Sequence, residues 1–127
     1  AGTGLDGDIL LGVSPSNQIR GKVGIGIALP TSKLHNTGSE GVKLLVVTNS
    51  DVTLGEQRYL VFNGAGEYVI YLPTASTCQD RIYTIRNNNP EAAFDVPYYD
   101  NGVALGLLPT GQSITIVSDG TNWQRVE

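Results

Sequence analysis

Hydrophobic and polar residues alternate most regularly near the end of the chain. Within Ser113–Ser118, Ile114 and Ile116 alternate with Thr115 and Val117, which is the pattern of a strand with one buried face. Asp119-Gly120 predicts a tight reversal, because glycine accepts a positive φ and aspartate can bond its own backbone. A return strand from Trp123 completes a predicted β-hairpin, and we expect the tryptophan to be largely buried against the core.

Similar apolar segments recur from Val42 onward, separated by turn-forming residues. The segment Asn63–Glu67 has the composition of a hairpin loop, and Pro73 ends the strand that follows it because proline cannot donate to a sheet ladder. A polar loop with one possible helical turn follows over 74–80. The other predicted strands are Val42–Thr48, Tyr59–Phe62, Tyr68–Leu72, Arg81–Asn87, a short strand marked by Phe94 and Val96, and Val103–Leu108. About eight short strands indicate an all-β domain, either a β-sandwich or a small barrel.

The first part of the chain is glycine-rich and has fewer apolar segments. We predict short extended pieces at Ile19-Arg20 and Val23–Ile27, followed by a turn-rich linker over 36–41. The spacing Gly24-x-Gly26 is not a dinucleotide fingerprint, because Leu29 replaces the third small residue and no helix pattern follows. The chain is therefore divided into a shaft-like segment with its linker, 1–41, and a C-terminal β-domain, 42–127.

Composition narrows the classes of partner. The 127 residues carry a net charge of −4, which disfavours nucleic acid because phosphate binding requires clustered Lys and Arg. No apolar run approaches the ~20 residues of a membrane-spanning helix, so membrane insertion is not expected. The chain contains no methionine, which indicates a fragment, a processed product or a trimmed piece of something longer.

Neither a metal nor a cofactor is expected. His35 is the sole histidine, and Asp6-Gly7-Asp8 lacks the later ligands of a calcium loop. Cys78 is the sole cysteine and no base motif accompanies it, so neither an internal disulfide nor a nucleophile is predicted. Asp95 and Asp100 are close in sequence, but nothing places them on two sides of one sugar, and we predict that the chain is not an enzyme.

The segment Asp95–Gly102 is the best candidate for ligand binding. Tyr98 and Tyr99 are adjacent, so in an extended chain both rings cannot face the core and one must be exposed. An exposed aromatic face beside Asp and Asn suits a sugar ring, which needs an apolar platform and directed hydrogen bonds. The alternative is that one tyrosine packs on the sheet rim or on a neighbouring subunit. The candidate ligand-binding residues are Asp95, Tyr98, Tyr99, Asp100 and Asn101.

Several motifs follow one another in an order that resembles a known family. They are Leu72–Thr77, Arg81–Ile85, Gly111–Ile116 and Ser118–Trp123, preceded by Val23–Gly26, Pro30 and Lys33–His35. The later motifs resemble the C-terminal β-domain at the ends of phage tail fibres and related trimeric attachment fibres. The earlier ones resemble the short shaft motif of the same fibres, in which three chains wrap around one axis.

The resemblance implies a homotrimer with an intertwined shaft-like segment and a small β-domain at its tip. It further implies attachment to a bacterial surface glycan or protein, contact with the rest of a fibre, and location in a virion tail fibre or outside the cell. A bacterial extracellular adhesin domain is the alternative, and a glycan-active enzyme is a less favoured one.

Overall fold

The computed structural model describes residues 21–90 and 95–127. The chain divides into two compact units at the Gly41–Val42 boundary. Our expectations for Asp6–Asp8, Ile19-Arg20 and Phe94 lie outside the described residues. Across the described part of the chain the secondary structure is eleven β-strands and one short 3₁₀ helix, so the prediction of an all-β protein is confirmed.

The first unit contains a two-stranded parallel ribbon. Strand β1 (Val23–Ile25) pairs with β2 (Leu34–Asn36), and the intervening loop folds back beside them. Thr37 closes the ribbon, since its backbone N–H donates to the Ile25 carbonyl at 3.1 Å and its hydroxyl donates to the Gly26 carbonyl at 3.0 Å. A ribbon of two strands is at most marginally stable by itself in water.

The second unit consists of two sheets with a common core. The five-stranded sheet has the order β11-β10-β7-β5-β3, and the four-stranded sheet has the order β4-β6-β8-β9. The strands are β3 (Leu44–Val47), β4 (Val52–Thr53), β5 (Tyr59–Phe62), β6 (Ile70–Leu72), β7 (Ile82–Asn87), β8 (Val96–Asp100), β9 (Val103–Leu108), β10 (Ser113–Ser118) and β11 (Trp123–Arg125). Neither sheet closes into a barrel. Of the two predicted architectures, β-sandwich and small barrel, the two packed sheets correspond to the sandwich.

Successive strands alternate between the sheets, so the chain winds in coils. The first coil is β3–β4, the second β5–β6 and the third β7–β8, and equivalent strands of successive coils pair in parallel. Strands β9, β10 and β11 then add antiparallel and end the winding. Each strand turns alternate side chains inward, and the core unites inward residues of both sheets, among them Leu60, Phe62, Ile85, Ile70 and Leu108.

The predicted hairpin at Asn63–Glu67 is wrong. Strands β5 and β6 flank this loop but belong to different sheets, so the loop carries the chain across the core. Gly64 makes this path possible, because an added Cβ would lie 1.5 Å from the Thr48 carbonyl oxygen of the preceding coil. The turn-forming composition therefore reflects a close backbone approach between coils.

The predicted C-terminal hairpin is confirmed by the pairing of β10 with β11. Trp123, however, is half-buried, because β11 is an edge strand and the indole packs on the rim of the core. Its ring lies 5.4 Å from that of the buried Tyr83, and its Nε1 donates to the Pro73 carbonyl at 3.1 Å. Tyr83 donates its hydroxyl to the Gly55 carbonyl, and burial raises the pKa of this phenol.

A buried asparagine joins the two sheets. Asn87 is fully inaccessible on β7, and its Nδ2 donates to the carbonyl of Leu108 in the other sheet at 2.9 Å. Its Oδ1 accepts the backbone N–H of Asn89, also at 2.9 Å. Buried amides are costly unless bonded, so this pair of contacts fixes where the loop after β7 leaves the core.

Candidate functional site

Two tyrosines form an aromatic platform on the outer face of the four-stranded sheet. Tyr71 on β6 and Tyr99 on β8 are in register, and their ring centroids are 6.1 Å apart with an interplanar angle of 38°. Tyr71 is 41% exposed, although its neighbours on both sides, Ile70 and Leu72, are buried. The register continues outward to Thr53 and Ala104, so the platform lies in one row across all four strands.

The next row of the same face lines a groove with a volume of about 480 Å³. Its apolar wall is formed by Val69 and Pro97, two positions before Tyr71 and Tyr99, and by Leu107, the partner of Pro97 on β9. The polar lining consists of three exposed carboxylates and one phenol, contributed by Asp51, Glu67, Asp95 and Tyr68. Asp51 is fixed in place because its Oδ1 accepts the Val69 backbone N–H at 2.8 Å.

The structure separates the two adjacent tyrosines of the predicted ligand-binding segment. Tyr98 is only 9% exposed and belongs to the core, where its ring lies over Gly106; a Cβ at that position would come within 2.7 Å of the Tyr98 Oη. Tyr99 points the other way and carries half of the platform. Neither ring is fully exposed: that of Tyr98 is buried and that of Tyr99 is half-buried.

Asp100 also turns away from the outer face. Its Oδ2 accepts the Ala75 backbone N–H at 3.3 Å, at the start of the 3₁₀ helix Ala75–Thr77. Its Oδ1 is buried and has no hydrogen-bond partner among the described residues. Ala75 is held from its other side too, because the buried Ser118 hydroxyl donates to its carbonyl at 2.6 Å. Asp100 is thus positioned to organise this turn from within.

The remaining predicted residues, Asp95 and Asn101, are exposed at opposite ends of β8. Asn101 has a φ of 46° and Gly102 a φ of 79°, as required at the two central positions of a tight hairpin turn between β8 and β9. Asp95 and Asp100 are separated by the length of β8, about 17 Å for five extended residues. Glycosidase carboxyl pairs lie no more than about 9.5 Å apart, so these two aspartates do not form one.

Sequence reasoning missed the platform residue Tyr71 and the groove residues Asp51, Glu67 and Tyr68. Tyr71 could have been predicted from the sequence. Strict alternation in Ile70-Tyr71-Leu72 turns its ring to the face opposite that of the two core residues beside it. The groove carries no such local signal. It forms where parallel pairing brings three separate coils into register.

Within 21–90 and 95–127, no group of three or more His, Cys, Asp or Glu side chains is arranged to hold a metal ion, and the three groove carboxylates are therefore not such a cluster. No helix in the described part of the chain is long and apolar enough to span a membrane. Cys78 has a free thiol, which points at the carbonyls of Thr74 and Ala75 in the 3₁₀ turn.

No family model, curated protein or solved structure matches this chain.

Proposed function

We propose that this chain is a structural attachment module at the end of a trimeric fibre, where it binds a bacterial cell-surface glycan. The observation that carries the proposal is the Tyr71–Tyr99 platform, a partly exposed aromatic surface next to a polar groove. Sugar rings bind through their apolar faces to aromatic side chains and through their hydroxyls to polar groups. The fibre and its location on a virion come from the motif resemblance, and a bacterial extracellular adhesin domain with the same site is the alternative.

The platform is supported by regular secondary structure. Both tyrosines lie on central strands of the four-stranded sheet, and the residues behind them, Ile70 and Tyr98, are core residues. The rings are therefore held near their binding positions before a ligand arrives, which reduces the entropy lost on binding. A site of one platform and a few hydrogen bonds has millimolar affinity, or about −4 kcal/mol. Three copies on one axis raise the avidity by ~10²–10⁴ on a repetitive surface.

The ribbon of the first unit supports association between copies. On the two strands of the ribbon and the loop between them, Ile25, Leu29 and Leu34 are 54%, 83% and 66% exposed. Isolated apolar residues are common on protein surfaces, but three on one marginal ribbon gain by burial against copies of the same ribbon. Closed cyclic symmetry is the usual arrangement of such homo-oligomers.

Single substitutions in the platform test the function. Tyr71→Ala and Tyr99→Ala are each expected to reduce adsorption to glycan arrays of bacterial surface polysaccharides at least tenfold, because each removes half of the aromatic surface. Tyr59→Ala is the matched control, since Tyr59 is 39% exposed on β5, in the other sheet. Melting temperatures close to that of the wild type would show that all three variants are folded.

Adsorption that is equally strong in the wild type and both platform variants would contradict the proposed site. Equal loss in the Tyr59→Ala control would point to a general effect on folding or assembly.

The groove carboxylates favour one further alternative, a glycan-active enzyme, because such enzymes use paired Asp and Glu residues. Release of reducing ends from the bound polysaccharide would establish that activity. If the Asp95→Asn variant released them equally fast, the groove would not be the catalytic site.

A further inference from the structure

The groove and the platform form one continuous surface. Pro97 lies two residues before Tyr99 on β8, and Val69, which directly precedes β6, lies two residues before Tyr71. Alternation along the extended chain therefore places all four side chains on the same side of the sheet. Two residues of an extended strand span about 7 Å. A ligand that covers the platform and extends along the strands therefore enters the groove directly.

The polar groups of the groove accept hydrogen bonds rather than donate them. When ionised, Asp51, Glu67 and Asp95 can accept hydrogen bonds but cannot donate them. The phenol of Tyr68 is the sole side-chain donor in the described lining. No Lys or Arg occurs among those lining residues. A ligand that fits must supply hydrogen-bond donors and must not bring negative charge close to three carboxylates.

We infer that this face selects an uncharged, hydroxyl-rich saccharide and rejects anionic glycans such as those carrying carboxylates or phosphates. The inference rests on the proposed function and adds the chemical class of the ligand. One sugar stacks on Tyr71 and Tyr99, and the next donates its hydroxyls to Glu67 and Asp95. An anionic group in the groove would present acceptors to acceptors and be repelled, at a cost of about fivefold in affinity or more for each pair of like charges.

The test compares neutral and acidic polysaccharides on one array. Wild-type protein is applied at low ionic strength to neutral hexose polymers and to uronic acid and phosphate-containing polymers, and again at high ionic strength. At low salt we expect the protein to bind the neutral polymers and not the acidic ones. Binding to the neutral polymers should fall at least tenfold in Tyr99→Ala. The double variant E67Q/D95N should gain binding to the acidic polymers by about fivefold or more, because amides remove the repulsion and add donors.

Each outcome distinguishes the inference from the proposed function. Tyr99-dependent binding to acidic polymers as strong as to neutral ones, or unchanged preference in E67Q/D95N, would overturn the selectivity and leave the attachment function intact. Absence of binding to every glycan would overturn both. Binding to poly-lysine that requires Glu67 and Asp95, without any glycan binding, would identify a basic polypeptide as the ligand and would also overturn both.

Discussion

At the scale of single residues, Tyr98 and Tyr99 show how strand alternation assigns different roles to identical neighbours. Tyr98 fills the core above Gly106, and Tyr99 lies on the outer face beside Tyr71. The sequence predicts that one ring is exposed, but alternation alone does not determine which. That choice depends on the long-range register of β8 with β6 and β9, where Val96 and Leu108 fix the inward side.

The two tyrosines therefore respond differently to truncation. Tyr98→Ala is expected to lower the free energy of unfolding by about 3–5 kcal/mol, because it empties a large core site. Tyr99→Ala should lower it by less than about 1 kcal/mol, since its ring is partly exposed. Urea denaturation monitored by Trp123 fluorescence measures both values. Equal values for the two variants would be incompatible with the observed side-chain directions.

Asp119 gives the C-terminal hairpin a dependence on pH. Backbone N–H of Asn122, the Gln124 side chain and the backbone N–H of Thr121 hold its pKa below the ordinary value of 3.8. Since the folded state favours the ionised form, Asp119 stabilises the protein above pH 3.8 and this contribution disappears as the pH falls through the lower folded pKa.

Replacing the carboxylate by an amide tests this pH dependence. Asp119→Asn should melt below the wild type at pH 6, and the difference between their melting temperatures should shrink between pH 4 and pH 2. Scanning calorimetry across this range measures the difference. If the melting temperatures of the two proteins changed in parallel with pH, the charge of Asp119 would not contribute to stability.

At the scale of elements, strand positions were predictable but several pairings were not. Period-two patterns identified β7 and β10, because each buries one face, whereas β5 and β9 were recognisable as apolar runs between turn residues. Turn residues only show that the chain bends; at Asn63–Glu67 they do not distinguish a return within one sheet from a crossing to the other. Strand β4 has two residues, too few to show a period. The outer-face groove depends on these crossings and was missed for the same reason.

The crossing at Gly64 makes a sharp prediction. Gly64→Ala should destabilise the second unit by at least about 2 kcal/mol, because the new methyl group would meet the Thr48 carbonyl and the two coils would have to separate. Gly55→Ala is the matched control, since its Cβ would lie 3.6 Å from the nearest atom outside its chain neighbours. Chemical denaturation compares the two variants, and equal stabilities would argue against the close approach of the first two coils.

At the scale of the whole molecule, the two units differ in how well they cover their apolar residues. The second unit buries a core shared by both sheets, although apolar residues such as Leu44 and Val103 stay exposed on it. In the first unit no described residue is buried, and Leu29 and Leu34 are exposed. A domain with its own core needs no partner to fold, but a two-stranded ribbon gains stability when it packs against another chain. In the proposed trimer, we therefore expect the ribbon to supply contacts between copies.

Oligomeric mass tests this expectation. Multi-angle light scattering at micromolar concentration should give three times the chain mass of 13.5 kDa. The variant L29N/L34N should shift the mass toward that of one chain, because it removes the apolar contacts between ribbons. Val103→Asn is the control, as Val103 is 63% exposed on β9 in the other unit. A wild-type protein with the mass of a single chain would contradict the trimer.

The coiled path of the second unit also determines how it would respond to mechanical force. Tension transmitted along a fibre would enter at Val42 and act first on β3, an edge strand bonded to the rest of its sheet only through β5. The rings of Tyr71 and Tyr99 are carried by the second and third coils. Peeling of β3 alone would lengthen the chain and absorb work while β6 and β8 stay paired and Tyr71 stays beside Tyr99. Peeling that reached β4 would remove Asp51 from the groove. In the proposed attachment module, β3 would therefore yield under load before the platform rings move apart.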